Sequence, residues 1–387
     1  MKMASGDAMK RTRQRLSRRA LLRSAMAGGA GLLAAYAVGC NNESGRQPTP
    51  ASTRLPAPTE GTTPVAVPTK TPLAGPRWRQ LTSSGMQPPP RRDHSLVAVS
   101  QRLLLMFGGR SSGPFGDLWS FDMIEGSWTQ VQAPDGPPAR FGHNAVYDGV
   151  HDRMVVFGGQ SAGGTFFDDI WAFHLALDVV GVGTWTRLKS GEVGPSARYG
   201  AAGALDPTGR LLISHGFTDA GRFDDTWGFD FAGESWTEAS PQGARPLERC
   251  LMRSVWDPSS ERLLMFGGQS TGIPFLGDLW ELTEDGWFEQ TAEPKPSPRN
   301  FYAMAFDDEG GRLLLFGGST QDGPANDLWQ LDSSSNIWSE ESPEGEAPSA
   351  RFGHDVVWLP DRRSLVVFGG RHGSQDLNDL WELSLPA

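Results

Sequence analysis

Apolar residues along this chain come in short runs that end at glycine, and no stretch carries a long apolar stripe of helical period. That pattern predicts many short β-strands joined by glycine turns. The runs also repeat. From about residue 77 onward a unit of about fifty residues recurs, with four features in constant order. An arginine opens each unit, at Arg91, Arg140, Arg198, Arg249, Arg299 and Arg351. An apolar run ending in a glycine pair follows, at Gly108-Gly109, Gly158-Gly159, Gly267-Gly268, Gly317-Gly318 and Gly369-Gly370; the third unit has His215-Gly216 instead. An Asp-x-Trp element comes next, at Asp117/Trp119, Asp169/Trp171, Asp225/Trp227, Asp278/Trp280, Asp327/Trp329 and Asp379/Trp381. A further tryptophan marks a fourth position: Trp78, Trp128, Trp185, Trp236, Trp287 and Trp338.

Each unit therefore offers four strands. A lone four-stranded sheet exposes both faces, whereas six sheets stacked around an axis bury those faces and leave only short edges. The expected fold is all-β, a six-bladed propeller, with tryptophans filling the wedge that widens outward. The register predicts how the ring closes. The first feature met is a fourth-strand tryptophan, Trp78, and the last is a third strand, Asp379/Trp381. The N-terminal strand is thus expected to complete the last blade. The glycine pair after an apolar strand, with a tryptophan some twenty residues later, resembles the kelch-repeat family, whose period is about 50 residues. The resemblance covers 77–387, and His215 departs from it.

Ahead of the repeat, 1–23 are basic and 24–39 uncharged. That is a signal-peptide layout. Ser17-Arg18-Arg19-Ala20-Leu21-Leu22-Arg23 resembles the twin-arginine export motif, and Ala37-Val38-Gly39-Cys40 resembles a bacterial lipobox, with Ala37 where leucine is usual. These resemblances imply export, with Cys40 lipidated; cleavage after Ala37, releasing a soluble protein, is the alternative. Residues 41–76 carry eight prolines and no aromatic residue, the composition of an extended linker. Three segments follow: a signal at 1–40, a linker at 41–76 and a propeller at 77–387. The expected place is the bacterial cell envelope, membrane-anchored.

The charge is uneven. Of 35 Lys/Arg, eleven precede residue 77, leaving 24; of 45 Asp/Glu, three do, leaving 42, so 77–387 carries −18. An acidic domain repels phosphate backbones, which excludes nucleic acid as a partner. With Cys40 consumed, Cys250 is the one core cysteine, so no internal disulfide is expected.

The candidate chemistry sits in the loops leading into each first strand and following each glycine pair. The six arginines either ring the channel mouth as a carboxylate site or pair within their blades with the six repeated aspartates. His94, His143 and His354 share one repeat position; Ala201, Met252 and Tyr302 fill it elsewhere, which reads as packing, and no metal is expected. His215 is a candidate because it displaces a conformationally special glycine. Loops 110–116, 160–167 and 269–277 carry Phe115, Phe166 and Phe275 beside small polar residues, a composition suited to a protein or glycan contact. No Ser–His–Asp order, phosphate loop or zinc spacing is present, and no cofactor is expected. Binding is favoured over catalysis, by a monomer acting as an exported, lipid-anchored module for a protein or glycan. The alternative is a carbohydrate-active enzyme resembling sialic-acid mutarotase or galactose oxidase.

Overall fold

A computed structural model describes residues 75–386, apart from 177–180, 190, 192, 242 and 292. The signal segment with Cys40, and all of the linker except Gly75 and Pro76, lie outside the described residues.

The repeat forms six antiparallel sheets, each a blade, with strands side by side in chain order in the first five. The innermost strands are Ser95–Ala98, Asn144–Asp148, Ala202–Leu205, Arg253–Asp257, Ala303–Asp307 and Asp355–Leu359, and each adjoins the next around a closed ring. The second strands are apolar runs such as Leu103–Phe107 (LLLMF) and Arg153–Phe157 (RMVVF), buried on both faces. A strand covered by neighbouring blades on both sides has no wet face, so its sequence runs apolar instead of alternating.

Blade six is built from both ends of the chain. Arg77–Leu81 pairs with Gln375–Ser384, setting Trp78 opposite Leu383 and Gln80 opposite Trp381. Trp78 is 3% exposed, and Arg79 reaches the buried Glu382.

The blades are held to one another by a recurring aromatic contact. The outer tryptophan of each blade lies on the phenylalanine that precedes the glycine pair of the blade before it. Trp128 meets Phe368 at 4.9 Å, Trp185 meets Phe107 at 5.1 Å, and Trp236 meets Phe157 at 5.1 Å. Trp338 meets Phe266 at 5.6 Å and Trp78 meets Phe316 at 5.1 Å. Each such pair contributes about 0.5–1.5 kcal/mol beyond the area it buries. Blade three is the exception. It has Ser214 in place of that phenylalanine, and the His215 ring meets Trp287 edge-on at 6.0 Å instead. The imidazole has moved into the role of the missing phenyl ring, from one position further along the strand.

The turns between first and second strands carry a device of their own. Asp148, Asp206, Asp257 and Asp307 accept hydrogen bonds from Arg153, Arg210, Arg262 and Arg312 at 2.8–3.0 Å, and also from turn N–H groups. Each carboxylate both shapes the turn and clasps the next strand.

Candidate protein-docking face

The opposite end of the ring carries the glycine pairs and the repeated arginines. All six arginines are at most 1% exposed. Each guanidinium forks onto the Asp of its own blade at 2.6–3.0 Å, in the pairs Arg91–Asp117, Arg140–Asp169, Arg198–Asp225, Arg249–Asp278, Arg299–Asp327 and Arg351–Asp379. It also donates to the first carbonyl of the glycine pair and to a carbonyl two residues upstream, as Arg91 does to Gly108 and Pro89. The indole N–H of the Asp-x-Trp element donates to the same carboxylate, as Trp119 does to Asp117 at 2.7 Å. Burial works against ionising these six carboxyls, but the guanidinium and indole hydrogen bonds prevail and hold them below the usual carboxylate range. Fully satisfied and sealed, the six arginines are scaffold. As ligand candidates they are corrected, because no donor face is left toward solvent.

Beyond each arginine the chain does something its residue types conceal. Asp93, Gly142, Gly200, Leu251, Phe301 and Gly353 all adopt left-handed φ of 51–67°. Each passes its N–H to the carbonyl of the equivalent residue in the preceding blade: Asp93 to Gly353, Gly142 to Asp93, Gly200 to Gly142, and so on back to Gly353. Six hydrogen bonds of 2.7–3.0 Å thus form a closed ring across the axis. Three of the six positions are not glycine, and each accepts a strained backbone to keep its place in the ring. Beside the ring lies a small cavity of about 30 Å³ lined by His94, His143 and Arg253, among others, which is room for about two waters. Arg253 comes within 3.6 Å of Asp355 across the axis.

His94, His143 and His354 do not converge on a ligand. Each packs edge-on against the phenylalanine of the preceding blade, at 5.2–5.3 Å. Burial, helped by the neighbouring arginines, pushes all three well below the ordinary histidine value. Among the described residues no cluster of three or more metal-ligating side chains occurs. His215 is fully buried as well, with Nδ1 at 2.6 Å from Ser214 Oγ, and burial pulls it down to about 3. As a ligand candidate His215 is corrected for the same reason as the arginines.

The surface around the mouth is individual to each blade. Phe115 lies over Arg91 at 4.2 Å and so lids a scaffold arginine. Phe166 packs on Phe217 at 5.9 Å, and Phe275 lines a shallow cleft of about 290 Å³ with Pro298 and Thr320. Arginines outside the six buried ones reach this surface. Arg92 pairs with Asp376 at 2.6 Å, and Asp376 also accepts from Ser111 at 2.8 Å and attracts Arg371 at 3.5 Å. Arg110 holds Asp93 through Nε at 2.7 Å and lies over the Phe141 ring at 4.3 Å. Its terminal nitrogens make no hydrogen bond among the described residues. Arg92, Arg110, Phe141, Gln160 and the serines at 111, 112 and 161 border a cleft of about 410 Å³. It offers two guanidinium groups, an aromatic face and several hydroxyls. That combination suits a carboxylate-bearing side chain or chain end. Sequence reasoning missed Arg92 and Arg110. The available signal was that they stand beside the repeat without being part of it.

The sequence matches the description KLHDC2/KLHL20/DRC7 Kelch-repeats domain over residues 132–289 and 259–387. The chain belongs to this kelch-repeat family, whose propellers suggest protein binding. It is similar to Adagio-like protein 1 of Oryza sativa subsp. japonica, 29% identical over 375 residues that cover 89% of this chain and 58% of that protein. It is similar to Adagio protein 3 of Arabidopsis thaliana, 29% identical over 80% of this chain and 52% of that protein. The leucine-zipper-like transcriptional regulator 1 homolog of Drosophila melanogaster is 27% identical over 72% of this chain and 29% of that protein. The chain therefore spans little more than half the length of the adagio relatives. These relatives overturn one set of expectations. They are plant and fly proteins, named as adagio and regulator proteins, and point away from a bacterial exported envelope lipoprotein. The exported, lipid-anchored reading is corrected accordingly.

Proposed function

We propose that the propeller is a docking module that holds a protein partner at the mouth end of the ring, with an acidic segment of that partner in the cleft between Arg92, Arg110 and Phe141. The observation that carries the reading is Arg110. It is braced by Asp93 and Phe141, yet its terminal nitrogens are unclaimed among the described residues. A pre-positioned, partly desolvated guanidinium recognises carboxylate with little ordering cost. The closed backbone ring supports the reading too, since it floors the mouth and presents a surface instead of a pore. Selection of a displayed random-peptide library on the full chain tests it. Binders should carry Asp, Glu or an essential free C-terminus, and Arg110→Glu should abolish them while circular dichroism still shows a folded ring at the assay temperature, the melting temperature falling because buried Asp93 loses its partner. Binders that lack such groups, or that ignore Arg110→Glu, would overturn it.

A further inference from the structure

We propose that the groove between blades three and four, on the turn-bearing end opposite the arginine mouth, binds a cationic protein segment that inserts one apolar side chain. The groove has a volume of about 640 Å³. Its floor is apolar, made by Leu212, Trp256 and Leu282. Trp256 belongs to neither repeated tryptophan set and is half-buried on the innermost strand of blade four. The rim is acidic. Glu261, Glu284 and Asp285 are exposed, and among the described residues none of their carboxylates accepts a hydrogen bond or joins an ion pair. Elsewhere on this end Glu125 is answered by Arg102 at 3.8 Å and Glu309 by Arg363 at 3.7 Å. The one cation on the groove's edge, Arg210, is held by Asp206 at 2.8 Å and leaves the rim negative.

Three unanswered carboxylates around an apolar floor select the occupant by charge. Anionic bilayers and nucleic acids are repelled by such a rim and by the −18 of the surrounding domain. A flat polycation would gain the field but leave the floor wet. A segment with lysines or arginines flanking one large apolar residue satisfies both.

The test uses the full chain and two fluorescein-labelled lysine-rich nonapeptides, one with a central phenylalanine and one with serine in its place. Fluorescence anisotropy at low ionic strength reads affinity. The phenylalanine peptide should bind about tenfold or more tighter than the serine peptide, the range one buried apolar side chain supplies. Glu261→Lys/Glu284→Lys/Asp285→Lys, all on exposed turns, should weaken it by about tenfold or more while the melting temperature holds. Arg110→Glu should leave it unchanged, which separates this groove from the mouth. Equal affinity for the two peptides, or equal affinity of wild type and the triple reversal, would overturn the proposal and leave only the general field of an acidic domain.

Discussion

Blade three and blade six both break the sixfold repeat, but they break different things. Blade six has an ordinary set of side chains on a broken backbone, with its outer strand, Arg77–Leu81, drawn from the other end of the chain. Blade three has an unbroken backbone and the wrong side chains, Ser214-His215 where other blades have Phe-Gly. The ring tolerates both, for different reasons. In blade six every cross-strand partner is still present, so only a chain connection has moved. In blade three a packing volume had to be refilled from the neighbouring position, at the cost of a histidine at φ +61°. The ring therefore depends on filled interfaces and paired edges, not on chain order or residue identity.

Breaking the joint should have the largest effect. Removing Arg77–Leu81 strips a whole strand, the buried Trp78, and the partner Arg79 from Glu382. The loss should approach the about 5–15 kcal/mol that stabilises a typical domain, so thermal unfolding by circular dichroism should show no folded baseline at 37 °C or a collapse of the midpoint. A near-native melt would mean the ring does not need its sixth outer strand. Next comes the triad that both exceptional blades keep. Arg299→Met strands Asp327 half-buried beside its tryptophan and should cost about 3–5 kcal/mol. Arg198→Met in blade three should cost the same, because its carboxylate pairing is unaltered. A much smaller loss in blade three would show that its altered strand also loosens the triad.

Why these regions were unequally legible in the sequence follows from the same contrast. Arg351, Gly369-Gly370 and Asp379/Trp381 recur because every blade meets the same neighbours, so a single chain displays the rule six times. The closure was readable because Trp78 stands alone ahead of the first arginine. Blade three was half-read: the lost glycine at 215 was visible, but the lost phenylalanine at 214, which explains it, becomes meaningful only when Trp287 is seen across the interface. The backbone ring was hidden because Asp93, Leu251 and Phe301 do not advertise left-handed conformation. The aspartate–arginine clasps at 148/153, 206/210, 257/262 and 307/312 lay in plain view, but only their pairing across a turn gives them a role. The mouth was least legible. Arg92 and Arg110 carry no repeat signal, and where a side chain points over the rim depends on blade twist, which pattern alone does not encode.

The swap in blade three can be measured as a cycle. His215→Gly should cost about 2 kcal/mol, since the lost ring leaves a void against Trp287 that relief of backbone strain only partly offsets. Ser214→Phe should cost about 1–3 kcal/mol by overfilling a space the imidazole already holds. The double variant restores the arrangement of the other blades and should return to within about 1 kcal/mol of the native chain. The single losses sum to about 3–5 kcal/mol, so the coupling between the two sites would then be a favourable one of about 2–6 kcal/mol, read from urea midpoints. Additive losses would show that the imidazole and the absent phenyl ring do not compete for one volume.

The smallest effect is the most specific. His215 is held neutral by burial and by Arg249, with its pKa lowered to about 3, against an ordinary value of 6.5. A histidine whose folded pKa is depressed binds its proton more readily when unfolded. Its neutral form therefore contributes fully above pH 6.5, and stability drains away as pH falls from there toward about 3. One unit below 6.5, at about pH 5.5, that drain is about 1.4 kcal/mol for a single group. His94, His143 and His354 add their own slope, but they are the same in any variant of residue 215 and cancel in a difference. The Ser214→Phe/His215→Gly protein should thus lose about 1.4 kcal/mol less than the native protein between pH 8 and about pH 5.5. Identical losses would mean that the imidazole takes up its proton inside the folded ring. In that case blade three's substitute for phenylalanine would be an open, hydrated side chain instead of a packed one.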